Sequence, residues 1–268
     1  MQRVDVLTIG AVARPRLGEA RGASLLGVTR RGWLVLLDVG WVIFLSREAR
    51  RGPLTLNLAE AGAGLPPASP GLTGEVTGDG LIFAEAGLRV DFGQAALWQA
   101  PPAPAEMLPA AERSLRLAEV KKTGNLDVVD SFAVHNIQIS EINAQGLVRA
   151  LEPLLGLGRG LTPSGDDLAV GLLLTLSRWG KRLGWEVDLA ALGEALAALA
   201  ARRTTTLAAN LIACACLGQA DERLLLALDG IVSGEPGPAE CAAALRDWGA
   251  SSGVDALVGM TLVLQQTK

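Results

Sequence analysis

The chain contains no tyrosine, four phenylalanines and a single histidine, His135. Scarce aromatics leave few side chains on which bases could stack, and a net charge of −4 provides no basic field for nucleic acid. One histidine and three scattered cysteines cannot supply a zinc cluster of the usual spacing. An odd cysteine count argues against a disulfide framework and fits a reducing compartment. The opening residues do not read as a signal peptide. The least polar stretch, Thr204 to Ala220, carries Thr, Asn and Gln and falls short of a membrane span. The expectation is a cytoplasmic protein with no nucleic-acid or membrane partner.

What the chain does have is apolar mass. Half of its 268 residues are hydrophobic and 19% are charged, enough for one large core or two smaller ones. Up to about residue 100 the pattern is strand-like. Trp33 to Asp38 and Trp41 to Ser46 are short apolar runs broken near Gly40, Leu54 to Leu58 alternates, and Gly78-Asp79-Gly80 is a turn before Leu81-Ile82-Phe83. Leu88, Val90 and Phe92 alternate with Arg89 and Asp91, the period-two signature of a half-buried strand. Pro101-Pro102-Ala103-Pro104 marks a change, after which the chain becomes rich in alanine and leucine. Helices are expected near 105–122, 143–155, 165–182, 188–202, 204–217, 220–232, 238–248 and 252–266, with 123–140 ambiguous between a strand and an ordered connection. The fold class is α+β: a β-rich barrel- or sandwich-like domain over 1–102, then an all-α domain over 103–268.

The helical half repeats itself. Ser164-Gly165-Asp166-Asp167-Leu168-Ala169-Val170-Gly171 and Ser252-Gly253-Val254-Asp255-Ala256-Leu257-Val258-Gly259 share Ser-Gly-x-Asp-x-x-Val-Gly and run on into apolar sequence. The Ser-x-x-Asp spacing reads as a capping box, each serine capping its own helix three residues before its acid. Gly171 and Gly259 fall inside their helices, where glycine costs about 1 kcal/mol relative to alanine. Such a cost points to close packing, with the two helices crossing at these glycines about a pseudo-two-fold axis.

Only the first copy follows a glycine-rich loop, Gly156-Leu157-Gly158-Arg159-Gly160, and only it carries a second acid, Asp166, where the other has Val254. Glycines before a helix start permit close ligand approach, and free N–H groups there favour anions. Arg159 can fork onto a carboxylate or phosphate. The loop lacks the Gly-Lys-Ser/Thr ending of a phosphate-binding loop, and an apparent helix rather than a strand precedes it. A tight structural turn competes with the anion site. Asp166 and Asp167 together can hold a divalent metal, or Asp166 can orient an amide or ammonium group; a first-turn acid favoured by the helix dipole is the plain alternative.

Residues 156–167, Gly-Leu-Gly-Arg-Gly-Leu-Thr-Pro-Ser-Gly-Asp-Asp, resemble the signature of the AllH-like family, as does Ser251-Ser252-Gly253-Val254-Asp255, and Thr204-Thr205-Thr206-Leu207 to Gly218 looks family-like. The family's usual pattern has proline where this chain has Arg159 and often histidine where it has Ala250. The resemblance runs from about 150 to 266. It implies one subunit of an oxamate carbamoyltransferase in anaerobic allantoin breakdown, acting beside other subunits on a carbamoyl phosphate- or oxamate-class ligand. It places Gly158, Gly160, Thr162, Ser164, Gly165, Asp166 and Asp167 at the ligand site, Asp166 and Asp167 as the catalytic candidates, with Ser252 and Asp255 beside it. Arg159 joins the ligand-binding residues from the loop pattern alone, and no cofactor is expected, with a divalent metal as the alternative. A non-catalytic ligand-sensing or scaffold subunit and a metal-dependent hydrolase using Asp166 and Asp167 are the alternatives.

Other candidates read as structural. A triad of His135 with Asp130 and Ser131 or Ser140 lacks a nucleophile-elbow pattern. Cys214 and Cys216 are two apart on a helix, small core residues. Arg202-Arg203 before Thr204-Thr205-Thr206 is a phosphate contact or a helix junction with a threonine cap, the second preferred. Trp179 and Trp185 flank Gly180-Lys181-Arg182 as core edges or a partner-facing pair.

Overall fold

A computed structural model describes residues 1–59, 64–126 and 143–265. The chain divides into two compact units, Met1–Ala100 and Pro101–Lys268.

The first unit is built from β1 (Gln2–Gly10), α1 (Ala13–Glu19), β2 (Gly22–Thr29), β3 (Gly32–Leu37), β4 (Val42–Ser46), β5 (Thr55–Leu58), β6 (Thr73–Val76), β7 (Gly80–Phe83), β8 (Leu88–Asp91) and β9 (Ala96–Trp98). The strand order is β5-β4-β3-β2-β6-β7-β8-β1-β9, and an antiparallel β1–β5 pairing closes the first eight into a barrel with β9 as an extra strand on β1. Closure removes the edges that an open sheet would expose. The expected barrel- or sandwich-like domain is therefore a barrel.

The β2–β3 hairpin turns where Thr29 Oγ1 accepts from the Arg31 and Gly32 N–H groups, each at 3.1 Å. Gly32 lies at φ +153°, and a Cβ there would fall 1.9 Å from the Leu45 carbonyl oxygen. Inward residues fill the barrel, with the Trp33 and Phe83 rings edge-on at 5.5 Å. Helix α1 was not legible in the sequence. It is seven residues long, has a glycine inside, and buries only Ala13 and Leu17 into the barrel core. Along β8, Leu88 and Val90 point inward as expected, but Asp91 is buried too, paired with Arg3 at 2.5 Å and Arg89 at 2.6 Å.

The second unit holds α2 (Ala110–Gly124), α3 (Ala144–Leu151), α4 (Ser164–Trp179), a 3-10 turn (Gly180–Leu183), α5 (Leu189–Arg203), α6 (Thr206–Cys216), α7 (Glu222–Ser233), α8 (Pro238–Asp247) and α9 (Ser252–Leu264). All eight expected helices are present. The first begins later than expected, because residues 101–109 stay extended or irregular. Arg178 donates to the Pro101 and Pro102 carbonyls at 2.8 and 3.2 Å, and Arg182 to those of Pro104 and Ala105. Residues 101–109 form no helix or strand, so these backbone carbonyls need donor partners from elsewhere, and the arginines supply them. Trp179 is buried, its Nε1 donating to Asp229 at 2.8 Å, and Trp185 is buried as well, which makes the pair core rather than partner-facing. Cys214 and Cys241 are buried thiols and Cys216 is half-buried. No helix among the described residues is long and apolar enough to cross a membrane.

Helices α4 and α9, the two copies of the repeat, pack directly on each other. A Cβ on Gly171 would fall 1.9 Å from the Ala256 carbonyl oxygen, and one on Gly259 would fall 2.0 Å from the Leu168 carbonyl oxygen. Each glycine meets the residue three before the other glycine. The crossing is thus pseudo-symmetric, as the repeat implied.

Candidate functional site

The approach to each repeat helix is made by backbone. Gly165 N donates to Leu157 O at 2.9 Å, and the Asp166 and Asp167 N–H groups turn back to Pro163 O at 2.9 and 3.1 Å. In the second copy Gly253 N donates to Trp248 O at 3.0 Å, and the Val254 and Asp255 N–H groups to Ser251 O at 2.9 and 3.0 Å. The two starts are therefore satisfied in the same way, without a side-chain cap at Pro163 or Ser251.

This corrects the capping-box reading. Ser164 and Ser252 are the first helical residues, one position past the cap, so their hydroxyls do not serve their own helices. They serve the opposite copy. The Ser252 hydroxyl lies against Asp167, and the Ser164 hydroxyl lies against Asp255, favouring the charged form of each acid. Thr162 Oγ1 and Ser252 Oγ share a hydrogen bond of 3.2 Å across the two starts.

The adjacent acids have different environments, although both are 1% exposed. Asp166 is engaged through both oxygens. Oδ1 accepts from Gly156 N at 3.0 Å, and Oδ2 accepts a short hydrogen bond from the Thr204 hydroxyl. Burial raises its pKa, and these two donors offset part of the rise. Asp167 has no geometrically sound hydrogen bond to either oxygen among the described residues, although the Ser252 and Thr162 hydroxyls are close. Burial pushes its pKa up to about 7; the Asp255 and Asp166 charges add to the rise and the two hydroxyls reduce it. Asp255 is half-buried, with one buried oxygen lacking a partner and a pKa raised by burial. Among the described residues no group of three or more histidine, cysteine or acidic side chains is placed to hold a metal ion.

The loop before α4 is an exposed rim beside these acids. Gly156, Gly158 and Gly160 lie at φ +77°, +128° and +97°, the left-handed region that only glycine enters freely. A Cβ on Gly156 would meet the Arg203 carbonyl oxygen at 2.0 Å, and one on Gly158 would meet Ser164 N at 2.7 Å. Leu157, Arg159 and Leu161 are exposed. Sequence reasoning missed that the α5–α6 junction braces this loop. Besides Thr204, Thr205 Oγ1 donates to Leu161 O at 2.5 Å, while Arg203 pairs with Glu152 at 2.7 Å. Thr205 also caps α6, accepting from Ala208 N at 3.1 Å. The hydroxyl run Thr204-Thr205-Thr206 was the available signal.

The structure thus brings Thr162, Ser164, Asp167, Ser252 and Asp255 together, with Gly158, Arg159 and Gly160 on the rim, Gly165 packed on the Leu154 carbonyl, and Asp166 turned to the loop and Thr204. His135, Asp130, Ser131 and Ser140 lie outside the described residues.

Residues 154–264 match the model of the family described as oxamate carbamoyltransferase subunit AllH. The match spans the glycine loop, both repeat helices and everything between them. No curated protein and no solved structure matches the chain significantly.

Proposed function

We propose that the chain, whose residues 154–264 match the AllH family model, is a subunit of an oxamate carbamoyltransferase-type system and binds a small ligand of the carbamoyl phosphate or oxamate class where the loop 156–162 meets the starts of α4 and α9. The observation that carries the reading is Asp167, a buried carboxylate left without a sound hydrogen bond beside a loop whose glycines take left-handed angles. Burying a charged group without a partner costs several kcal/mol, and proteins keep such groups chiefly where a ligand or a proton uses them.

The two neighbouring acids take different roles. Asp166, tied to Gly156 and Thr204, holds the loop in place. Asp167 faces the ligand, with Ser252 and Thr162 beside it. Gly158, Arg159 and Gly160 lie on the exposed side, where an anionic end of the ligand would rest. The contribution to carbamoyl transfer is positioning and electrostatic stabilisation in a water-poor site, completed by other subunits.

The test is to assemble the chain with its partner subunits and follow carbamoyl transfer with wild type and Asp167→Asn. A loss of a hundredfold or more in kcat/KM with assembly intact is expected. Unchanged turnover with Asp167→Asn would leave the chain a scaffold or ligand-sensing subunit, and a strict requirement for Mg²⁺ or Mn²⁺ at Asp166 and Asp167 would favour the hydrolase reading.

A further inference from the structure

The two helix starts present acceptors, not donors. Three first-turn N–H groups of each start, those of Gly165, Asp166 and Asp167 and of Gly253, Val254 and Asp255, which could serve an anion, are spent on the Leu157, Pro163, Trp248 and Ser251 carbonyls. Asp167 Oδ1, Asp167 Oδ2 and Asp255 Oδ2 are buried without a sound hydrogen bond among the described residues, and the two acids are near enough for the Asp255 charge to oppose ionisation of Asp167. A phosphate or carboxylate placed there would add acceptors and negative charge to acceptors. A primary carboxamide supplies two N–H donors and an ammonium at least three.

From this, and resting on the ligand site proposed above, we infer that the group admitted between α4 and α9 is an N–H donor, a primary carboxamide or an ammonium, bound by the Asp167 and Asp255 carboxylates with the Ser252 and Thr162 hydroxyls. The pseudo-two-fold arrangement makes the pocket two-sided. Each helix contributes one acid and the serine that lies against the other helix's acid. Thr162 and Ser252, half-buried and hydrogen-bonded to each other, both lie beside Asp167. Any oxyanion that the same ligand carries stays outside, at Arg159.

The charges around Asp167 sharpen the expectation. Asp166 on its own helix and Asp255 on α9 oppose its ionisation, Thr204 is spent on Asp166, and Arg203 is held by Glu152. Ionised Asp167 accepts N–H donors best, so such a ligand binds with proton release and tightens as pH rises through about 7. An oxyanion would tighten as pH falls.

The full-length chain is titrated calorimetrically with acetamide, oxamate, ammonium chloride, potassium chloride, phosphate and oxalate at pH 6 and pH 8. Either amide or ammonium is expected to bind about tenfold more tightly at pH 8, from the change in ionised Asp167 fraction. The comparison of amide with ammonium shows which donor is taken. Asp167→Asn removes the pH dependence; should it fail to fold, Thr162→Val keeps the dependence and weakens binding. Equal binding of potassium and ammonium, with the amides silent, overturns the inference in favour of a plain cation site. Phosphate or oxalate binding that strengthens at pH 6 overturns it too, while leaving the ligand site of the preceding section standing. Silence from every probe, including with partner subunits present, removes both.

Discussion

Gly171 has no room for a side chain because of Ala256. A Cβ would sit 1.9 Å from the Ala256 carbonyl oxygen, which is backbone and cannot swing away. The reciprocal contact of Gly259 with Leu168 makes the two glycines one packing device. Gly171→Ala is expected to lower stability by about 1–3 kcal/mol or more, and Gly171→Leu to unfold the helical unit. Gly171→Ala and Gly259→Ala together should be non-additive, since they loosen one interface. Urea denaturation followed by circular dichroism measures all three, and a Gly171→Leu variant of wild-type stability would remove the crossing.

The stability of the chain should depend on Asp167 with an unusual sign for an acid. Its folded pKa of about 7 lies above the usual carboxylate value, so the folded state binds the extra proton. Stability is fully retained below the unfolded pKa, falls as pH rises from about 4 to about 7, and is level above that. The loss from this group is on the order of 4 kcal/mol. Asp166 and Asp255 slope the same way. Asp167→Asn should therefore flatten the decline in melting temperature between pH 5 and pH 8 and raise it at pH 8. A melting curve series with the same slope in both proteins would show that Asp167 ionises freely.

Asp166 is expected to behave as a tether. Asp166→Ala leaves the half-buried Gly156 N–H and Thr204 hydroxyl without their acceptor, at a cost of about 1 kcal/mol for each lost bond. The loop 157–161 should become the first site of limited proteolysis, and Thr204→Val should do the same to a lesser degree. Resistance equal to wild type would mean the loop is held by its glycines and Thr205 alone.

Asp229 receives Arg178 Nη2 at 2.5 Å, Arg178 Nε at 2.7 Å and Trp179 Nε1 at 2.8 Å. Arg178→Met leaves this carboxylate short of charge in a buried place and frees the Pro101 and Pro102 carbonyls. Loss of one partner of a buried pair costs about 3–5 kcal/mol. Replacing both, with Arg178→Met and Asp229→Leu, should recover part of that loss in a denaturation series.

The helices and strands were legible because they depend on short-range pattern: the 3.6 and 2.0 periods of apolar residues, and glycine and proline at the breaks. The crossing at Gly171 and Gly259 was legible because an interior glycine is costly wherever it is not needed. The acids and hydroxyls that gather at the starts of α4 and α9 were singled out from the repeat and the family likeness. The same short-range reasoning failed at Ser164 and Ser252, where a Ser-x-x-Asp spacing has a good local explanation that the fold does not use. It also failed at α1, which is too short for its period to show.

The sequence by itself therefore determined the two-part α+β organisation, the repeat and the residue types gathered at its helix starts. Only the tertiary structure decided that β1 closes a barrel on β5, that each serine answers the other copy's acid, and that Asp166 is satisfied while Asp167 is not. The physical reason is range. Burial and hydrogen-bond partners depend on which distant segments arrive: the Thr204 hydroxyl and Gly156 N–H at one carboxylate, and none with a sound bond at its neighbour. Two adjacent aspartates identical in sequence can be told apart only after that packing exists.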